Sequence, residues 1–186
     1  MLSDRPKPDF AMRTLTAFLL CLLVAAPLSA QKNKRDPLTE VQQDQIAEAG
    51  DTPFARLNLY VKFINEHAET IQGLIKRAHS AAWEHRMDGE LQDFADLMDE
   101  LSSNLDIYAD RKADIRLSMK NMNESIDRWQ AMLKSIGKQP GFETSLADAT
   151  DSCNDLATQA RQVATDQEVY FKAHPDEKGQ DRAEPK

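Results

Sequence analysis

Apolar residues recur at every third or fourth position over a long stretch in the middle of the chain. The stretch runs from Leu91 to Ile136, and Lys112 is the residue that interrupts it. No Gly or Pro lies between Glu90 and Ile136. Spacings that alternate between three and four place apolar side chains on one helix face, close to the coiled-coil period. The pattern predicts one long central helix, which Asp88 is positioned to cap.

The weakest part of this predicted helix is residues 109–114, where the apolar face loses Lys112. A turn at this point would divide the helix in two and produce a four-helix up-and-down bundle. Turns usually contain Gly, Pro or Asn, and this hexapeptide contains none of them. The sequence therefore favours one continuous helix and leaves the split helix as the alternative.

A short helix is predicted before the central one. Thr39 can cap its N-terminus, and Gln42 follows three residues later, which is the spacing of a capping box. The helix is expected to end near Ala49, because Gly50 can adopt the positive φ that often ends a helix.

Two further long helices are predicted on either side of the central one. The second helix of the chain begins at Thr52 and Pro53, where proline suits the first helical position, and extends to about His85. The last helix begins near Phe142, after a segment with two glycines and a proline, and ends near His174.

These elements predict an all-α protein, since no segment shows the alternation of a β-strand. The fold class is an antiparallel helical bundle of three long helices plus a short N-terminal helix, or a four-helix bundle if the central helix is split. The predicted organisation is a signal peptide at 1–30, a flexible leader at 31–36, a helical bundle domain at 37–174 and a disordered charged tail at 175–186.

The N-terminus has the features of a secretory signal peptide. Met12 and Arg13 precede a short apolar run, and small residues lead to a predicted cleavage site after Ala30. Cleavage there would leave Gln31 as the new N-terminus. Residues 1–11 are polar and add nothing to the signal, so Met12 is an alternative start. The protein is therefore expected to be periplasmic or secreted, with no membrane attachment after cleavage.

The net charge limits the choice of partner. The chain has 23 basic and 31 acidic residues. Residues 1–30 include three of the basic and two of the acidic residues. The mature chain therefore has 20 basic and 29 acidic residues, which gives a net charge of −9. Nucleic acids and anionic membranes attract clustered positive charge, so both are disfavoured. Paired acidic residues such as Asp106 and Asp110 are interpreted as solvated helix faces.

The sequence contains no recognisable catalytic or cofactor motif, so no catalytic, cofactor or metal site is predicted. Neither Gly-x-Ser-x-Gly nor the Glu-x-x-His of di-iron bundles occurs. The histidine His67 lies on the apolar face of its helix and is interpreted as a partly buried core residue. The alternative is a small-molecule or metal site in the bundle interior around His67.

Three residues are candidates for contact with a partner. Cys153 is the one cysteine of the predicted mature chain and lies on an apolar stripe, so it is interpreted as a buried core residue; the alternative is an intermolecular disulfide. An exposed apolar patch near Phe63 and Trp83 would mark a protein-binding surface.

Residues 38–42, with the sequence LTEVQ, resemble the LTxxQ motif of the small helical periplasmic chaperones of the Spy and CpxP type. The resemblance covers five residues and implies an exported all-α protein that binds unfolded clients or signalling partners. A capping box accounts for the same residues. The expected function is that of an exported, non-enzymatic protein that binds another periplasmic protein or acts as a scaffold or chaperone.

Overall fold

Five α-helices and one 3-10 turn make up the part of the chain that the structure describes. The computed structural model describes residues 35–77, 80–137 and 139–180, so the predicted signal peptide lies outside the described residues. These residues contain no β-strand, and the predicted all-α bundle is confirmed. None of the described helices is both long and apolar enough to cross a membrane. The helices are α1 (Glu40–Ala49), α2 (Pro53–Ile75), α3 (Ala81–Asp110), α4 (Arg116–Ser135) and α5 (Glu143–Ala173), followed by a 3-10 turn at Pro175–Glu177.

The start of α1 follows the local sequence signals. The Gln42 N–H donates to the Thr39 hydroxyl at 3.3 Å, and the Thr39 N–H donates to the Gln42 side-chain oxygen at 2.8 Å, so the predicted capping box is confirmed. Gly50 ends the helix with a φ of +58°. Pro53 occupies the first turn of α2 as predicted, although the Thr52 side chain makes no capping hydrogen bond.

The junction between α2 and α3 lies earlier in the chain than the sequence predicted. Helix α2 ends at Ile75 instead of near His85, and α3 begins at Ala81. The cap of α3 is Ser80, whose hydroxyl accepts a hydrogen bond from the Trp83 N–H at 3.2 Å. The periodic apolar pattern continues through this junction, and for that reason it did not reveal the break.

The Trp83 side chain explains why the chain turns here. Its indole N–H donates to the Leu74 carbonyl at 2.7 Å, and its ring packs edge-on against Phe142 with ring centroids 5.5 Å apart. These contacts hold the start of α3 against the end of α2. The predicted cap Asp88 lies inside α3, where its carboxylate accepts a hydrogen bond from the Ser145 hydroxyl.

The four long helices surround one core in an order that differs from their order in the sequence. Helix α3 packs against α2 and α5, and α4 packs against the same two helices. Among the described residues, the backbones of α3 and α4 do not approach each other closely, although the two helices follow one another in the chain. The order around the bundle is therefore α2, α3, α5, α4, with α3 and α4 on a diagonal.

Helix directions follow from the side chains that meet. Gln92 of α3 donates to Ser145 of α5 at 3.2 Å, and Ser102 of α3 donates to Gln159 of α5 at 2.8 Å. The residue numbers of both helices rise together, so α3 and α5 are parallel neighbours. Successive helices still alternate in direction, which agrees with the up-and-down alternative.

The diagonal link, residues 111–115, reverses the chain, so the prediction of one continuous central helix is wrong and the split helix is confirmed. Lys112 adopts a positive φ of 56° within it. Ala113 and Ile115 are buried over the end of the core. The Gln167 side chain donates to the Ala113 carbonyl at 2.7 Å and accepts from the Ile115 N–H at 3.0 Å. Contacts from α5 therefore stabilise a turn that the local sequence does not signal.

The apolar stripe of the predicted central helix is nevertheless buried along its whole length. Its two halves lie on α3 and α4 and face the same core from opposite corners of the bundle. Phe94 and Trp129 meet across that core in an edge-to-face contact with ring centroids 5.9 Å apart. The buried stripe is Leu91, Phe94, Met98, Leu101, Leu105, Tyr108, Ile115, Met119, Met122, Ile126, Trp129, Leu133 and Ile136.

The segment after α5 packs against the diagonal link, whereas the sequence had placed it in a disordered tail. The Gly179 N–H donates to the Asp114 carboxylate at 2.7 Å, and the Asp114 N–H donates to the Gln180 carbonyl at 3.2 Å. Hydrogen bonds from Arg116, at 2.7 and 2.8 Å, lower the pKa of Asp114 to about 2. Residues 181–186 lie outside the described part of the chain.

Candidate functional site

The four long helices divide into two pairs of very different charge. Helix α3 has nine acidic residues and one basic residue. Helix α5 has six acidic and two basic residues, so the two helices together have a net charge of −12. Helix α2 has two acidic and two basic residues, and α4 has two and four, so that pair has a net charge of +2. The whole chain has a charge of −8. The diagonal link makes α3 and α5 neighbours and thereby places the two most acidic of the four long helices side by side.

A groove with a volume of about 280 Å³ lies between α3 and α5 near the diagonal link. Three exposed carboxylates line it, from Asp106, Asp110 and Asp166. Lys112 is the one cation among the described lining residues, and its ammonium lies 5.7 Å from the centroid of the Tyr170 ring. The described lining of this α3/α5 groove thus has three acidic residues and one basic residue.

Neutral side chains donate hydrogen bonds to two of the three carboxylates of the α3/α5 groove, those of Asp106 and Asp166. The Gln159 amide donates to Asp106 at 2.6 Å, and the Gln162 amide donates to both Asp166 oxygens at 3.0 Å. Ser102 donates in turn to the Gln159 side-chain oxygen. Within the described chain no Lys or Arg forms an ion pair with either carboxylate. Their charge is thus available to a cation from outside.

A second polar cleft, with a volume of about 500 Å³, lies between residues 35–39, α2 and α3. On its α3 side lies Asp93, which is 4% exposed and accepts a hydrogen bond from the Arg35 guanidinium. Burial raises the pKa of Asp93, and the hydrogen bond from Arg35 opposes that rise. Beside it, His67 Nδ1 lies 2.9 Å from a Glu90 carboxylate oxygen.

The predicted partial burial of His67 is confirmed, with 15% of its side chain exposed. Its Nδ1 is engaged by Glu90, so that nitrogen is committed to a neighbour within the protein. Among residues 35–77, 80–137 and 139–180, no three His, Cys, Asp or Glu side chains are placed to share a metal ion. The metal or small-molecule alternative at His67 stays a prediction.

The predicted partner surface at Phe63 and Trp83 is wrong as an exposed patch. Phe63 is 1% exposed and Trp83 is 7% exposed. The early end of α2 explains the burial of Trp83, because it turns the indole onto Leu74 and Phe142. An apolar docking surface at these residues is therefore absent from this fold.

The predicted core position of Cys153 is confirmed, since the residue is fully buried within α5. Burial raises the pKa of its thiol to about 11. A buried, protonated thiol is unreactive, so the alternative of an intermolecular disulfide would require the bundle to open.

Exposed large apolar side chains are distributed over all five helices. Four of the five lie near the end of the bundle where α3 turns into α4. Single exposed apolar residues are normal on folded proteins, so they do not by themselves mark a site. They are Val41, Phe54, Ile107, Leu117 and Val169.

The chain matches no protein-family model, no curated protein and no solved structure. The five-residue resemblance at 38–42 is accounted for by the capping box that Thr39 and Gln42 form. Function is therefore inferred from the fold and from the placement of the charged side chains.

Proposed function

We propose that the protein is an exported, non-enzymatic helical bundle that binds a basic segment of another protein on its α3/α5 side. The observation that supports this most is the net charge of −12 on two adjacent parallel helices. Like charges on neighbouring helices repel, so their concentration on one side favours a partner that neutralises them. A Lys- or Arg-rich segment supplies that charge, whereas a nucleic acid would be repelled.

The α3/α5 groove would be the centre of this contact. Asp106, Asp110 and Asp166 line it and are neutralised by no ion pair among the described residues. Exposed carboxylates of this kind attract a cationic partner over about 10 Å at moderate salt. They raise the association rate and select the partner by charge more than they add affinity.

Export is supported by the composition of residues 12–30, and it can be tested separately. If the signal peptide is cleaved as predicted, the N-terminal residue of the mature protein is Gln31. Mass spectrometry of the protein from the periplasm or culture medium should identify that terminus. A mature protein that begins at Met1 or Met12 would contradict export by this route.

The binding proposal is tested by calorimetric titration of the mature chain with an acetylated, amidated Lys-Ala repeat peptide. The triple substitution Asp106→Asn, Asp110→Asn and Asp166→Asn should weaken binding about tenfold, since each exposed charge contributes about 0.5 kcal/mol. Affinity should also fall as salt is raised.

The matched control removes three carboxylates from α1, in the substitutions Glu40→Gln, Asp44→Asn and Glu48→Gln. All three residues are exposed, and the net charge changes by the same amount. This control should bind the peptide within about twofold of the unsubstituted protein. Equal weakening by the two triple variants would mean that net charge alone matters and would contradict a role for the α3/α5 groove.

A further inference from the structure

The N-terminal segment, residues 35–50, packs on the outside of the four-helix bundle and is called the flap below. Its helix α1 contacts α2 and no other helix among the described residues. Ile46 is the one buried residue of α1, and Leu38 is partly buried against the core. Gly50, with a positive φ, separates the flap from α2. Few apolar contacts therefore hold the flap in place.

A flap of this kind opens more easily than the bundle unfolds. A helix of ten residues is marginal in water without tertiary contacts, and α1 has this length. Burial of one Ile side chain supplies only about 1.5–3 kcal/mol. Gln42 adds one hydrogen bond to Glu66 at 2.9 Å. Local opening of the flap, with the four-helix bundle intact, is the expected low-energy motion.

One contact of the flap is chemically unlike the others. The guanidinium of Arg35 bonds to the buried carboxylate of Asp93, while the Arg35 side chain itself remains 71% exposed. Arg35 is the hydrogen-bond donor that the structure gives this carboxylate. A carboxylate left buried without a cation is strongly unfavourable. When the flap opens, Asp93 loses this partner, and its carboxylate can accept another cation.

The cleft beneath the flap is suited to such a cation. Its walls on α2 and α3 carry Glu66, Glu90 and Asp93, together with His67. The flap supplies the opposing wall and the Arg35 guanidinium. A guanidinium is planar and weakly hydrated, and it pairs with carboxylates through two parallel N–H donors. It fits a desolvated carboxylate better than an ammonium does.

We propose that this cleft is a binding site for the guanidinium of an arginine side chain from a partner, and that Arg35 occupies the site within the same chain while the flap is closed. The site lies between α2 and α3 and is separate from the α3/α5 groove. Partner binding then requires displacement of Arg35, so the flap regulates access to Asp93. Disruption of the Arg35 contact opens the flap and exposes the site.

The first test measures hydrogen exchange of the α1 amides in the mature chain. Arg35→Gln should accelerate exchange about tenfold, because it removes the charged contact that holds the flap. Arg161→Gln removes an exposed cation from α5 and is the matched control, with rates expected within about twofold. Unchanged exchange in Arg35→Gln would overturn the proposal.

The second test measures binding of N-acetyl-arginine methylamide by chemical-shift changes around residues 66–70 and 90–93. The Arg35→Gln variant should bind this probe at least about fivefold more tightly than the unsubstituted protein, whose own Arg35 competes for the site. Asp93→Asn added to that variant should abolish the gain. N-acetyl-citrulline methylamide, which is neutral and of similar shape, should not bind.

Each contrary outcome overturns the proposal. Equal binding to Arg35→Gln and the unsubstituted protein would mean that Arg35 does not occupy the site. Binding that survives Asp93→Asn, or equal binding of the citrulline probe, would mean that the buried carboxylate does not select the guanidinium. Arg35→Lys keeps the charge and loses the two-donor fork, so exchange of its α1 amides should be faster than in the unsubstituted protein and slower than in Arg35→Gln.

Discussion

The diagonal link at 111–115 and the flap at 35–50 are both short segments packed against the bundle, but they are held by different forces. The link buries Ala113 and Ile115, and its backbone groups bond to the buried Gln167 side chain. The flap has one buried residue in its helix and is fixed at its end by a charged contact. The link should therefore unfold only with the bundle, whereas the flap should open separately.

This difference shows that a regular helix can be the less stable of two segments. The flap has a well-formed helix with a capping box, yet that helix depends on one neighbour. The link has no regular structure, and its backbone groups depend on buried partners. An unpaired buried backbone group costs about 1–3 kcal/mol, which exceeds the net contribution of an exposed ion pair.

The largest expected effect comes from Gln167→Leu. This substitution leaves the Ala113 carbonyl and the Ile115 N–H buried without a partner, so the free energy of unfolding should fall by about 2–4 kcal/mol. Urea unfolding followed by circular dichroism measures this change. Gln162→Leu, in the same helix but exposed, should change it by less than about 0.5 kcal/mol. Similar small effects of both would contradict the role of Gln167.

Asp114 should make the link sensitive to acid. Its pKa is about 2 in the folded protein and 3.8 for the free side chain, so the folded state favours the ionised form. That contribution is complete above 3.8 and is lost as the pH falls from there to about 2. It should amount to about 1 kcal/mol, because solvent screens the Arg116 pair. Asp114→Asn should lack this pH dependence; the same acid response in the variant would exclude Asp114 as its source.

Lys112 adopts a positive φ that an L-residue tolerates poorly, so glycine should suit this position in the link. Lys112→Gly should be more stable than Lys112→Ala by about 1 kcal/mol, since both lose the contact with Tyr170 but only glycine relieves the backbone. Thermal unfolding of the two variants measures the difference. If alanine is the more stable, the backbone at 112 is not left-handed in solution.

A small effect on global stability is expected for Arg35→Gln. Tenfold faster exchange in α1 corresponds to about 1.4 kcal/mol, so the free energy of unfolding should fall by no more than about that amount. Urea unfolding monitored by the fluorescence of Trp129, which is buried in the bundle core, measures this change. A loss as large as that for Gln167→Leu would mean that flap and bundle unfold together.

Features that depend on neighbouring residues were predictable from the sequence. The capping box at Thr39 and Gln42 and the break near Pro140 arise within a few residues of chain. The buried stripe from Leu91 to Ile136 is long, but each step of its pattern spans only three or four residues. The reversal at Lys112 was not predictable in this way. It depends on Gln167, which lies more than fifty residues away and reaches the link only after α5 has packed.

The α3/α5 groove and the roles of Asp93 and Arg35 were missed for related reasons, although the sequence had indicated His67, which lines the second cleft. The acidic residues of α3 and α5 are separate in the sequence, and only the diagonal order of the helices makes Asp106 and Asp166 line one groove. Asp93 gave a weak local signal, because it lies next to Phe94 and one helical turn before the buried Leu97. An acidic residue beside an apolar stripe indicates a buried carboxylate, but its partner Arg35 could not be identified from spacing.

The central claim, that the α3/α5 side binds a basic partner, is tested most directly by mapping where a cationic peptide contacts the protein. In a ¹H–¹⁵N titration of the mature chain with the Lys-Ala repeat peptide, the largest shift changes should fall at Asp106, Asp110, Gln162 and Asp166. Amides of α2 and α4 should change little. Changes that spread evenly over all helices, or that centre on α2 and α4, would contradict the claim.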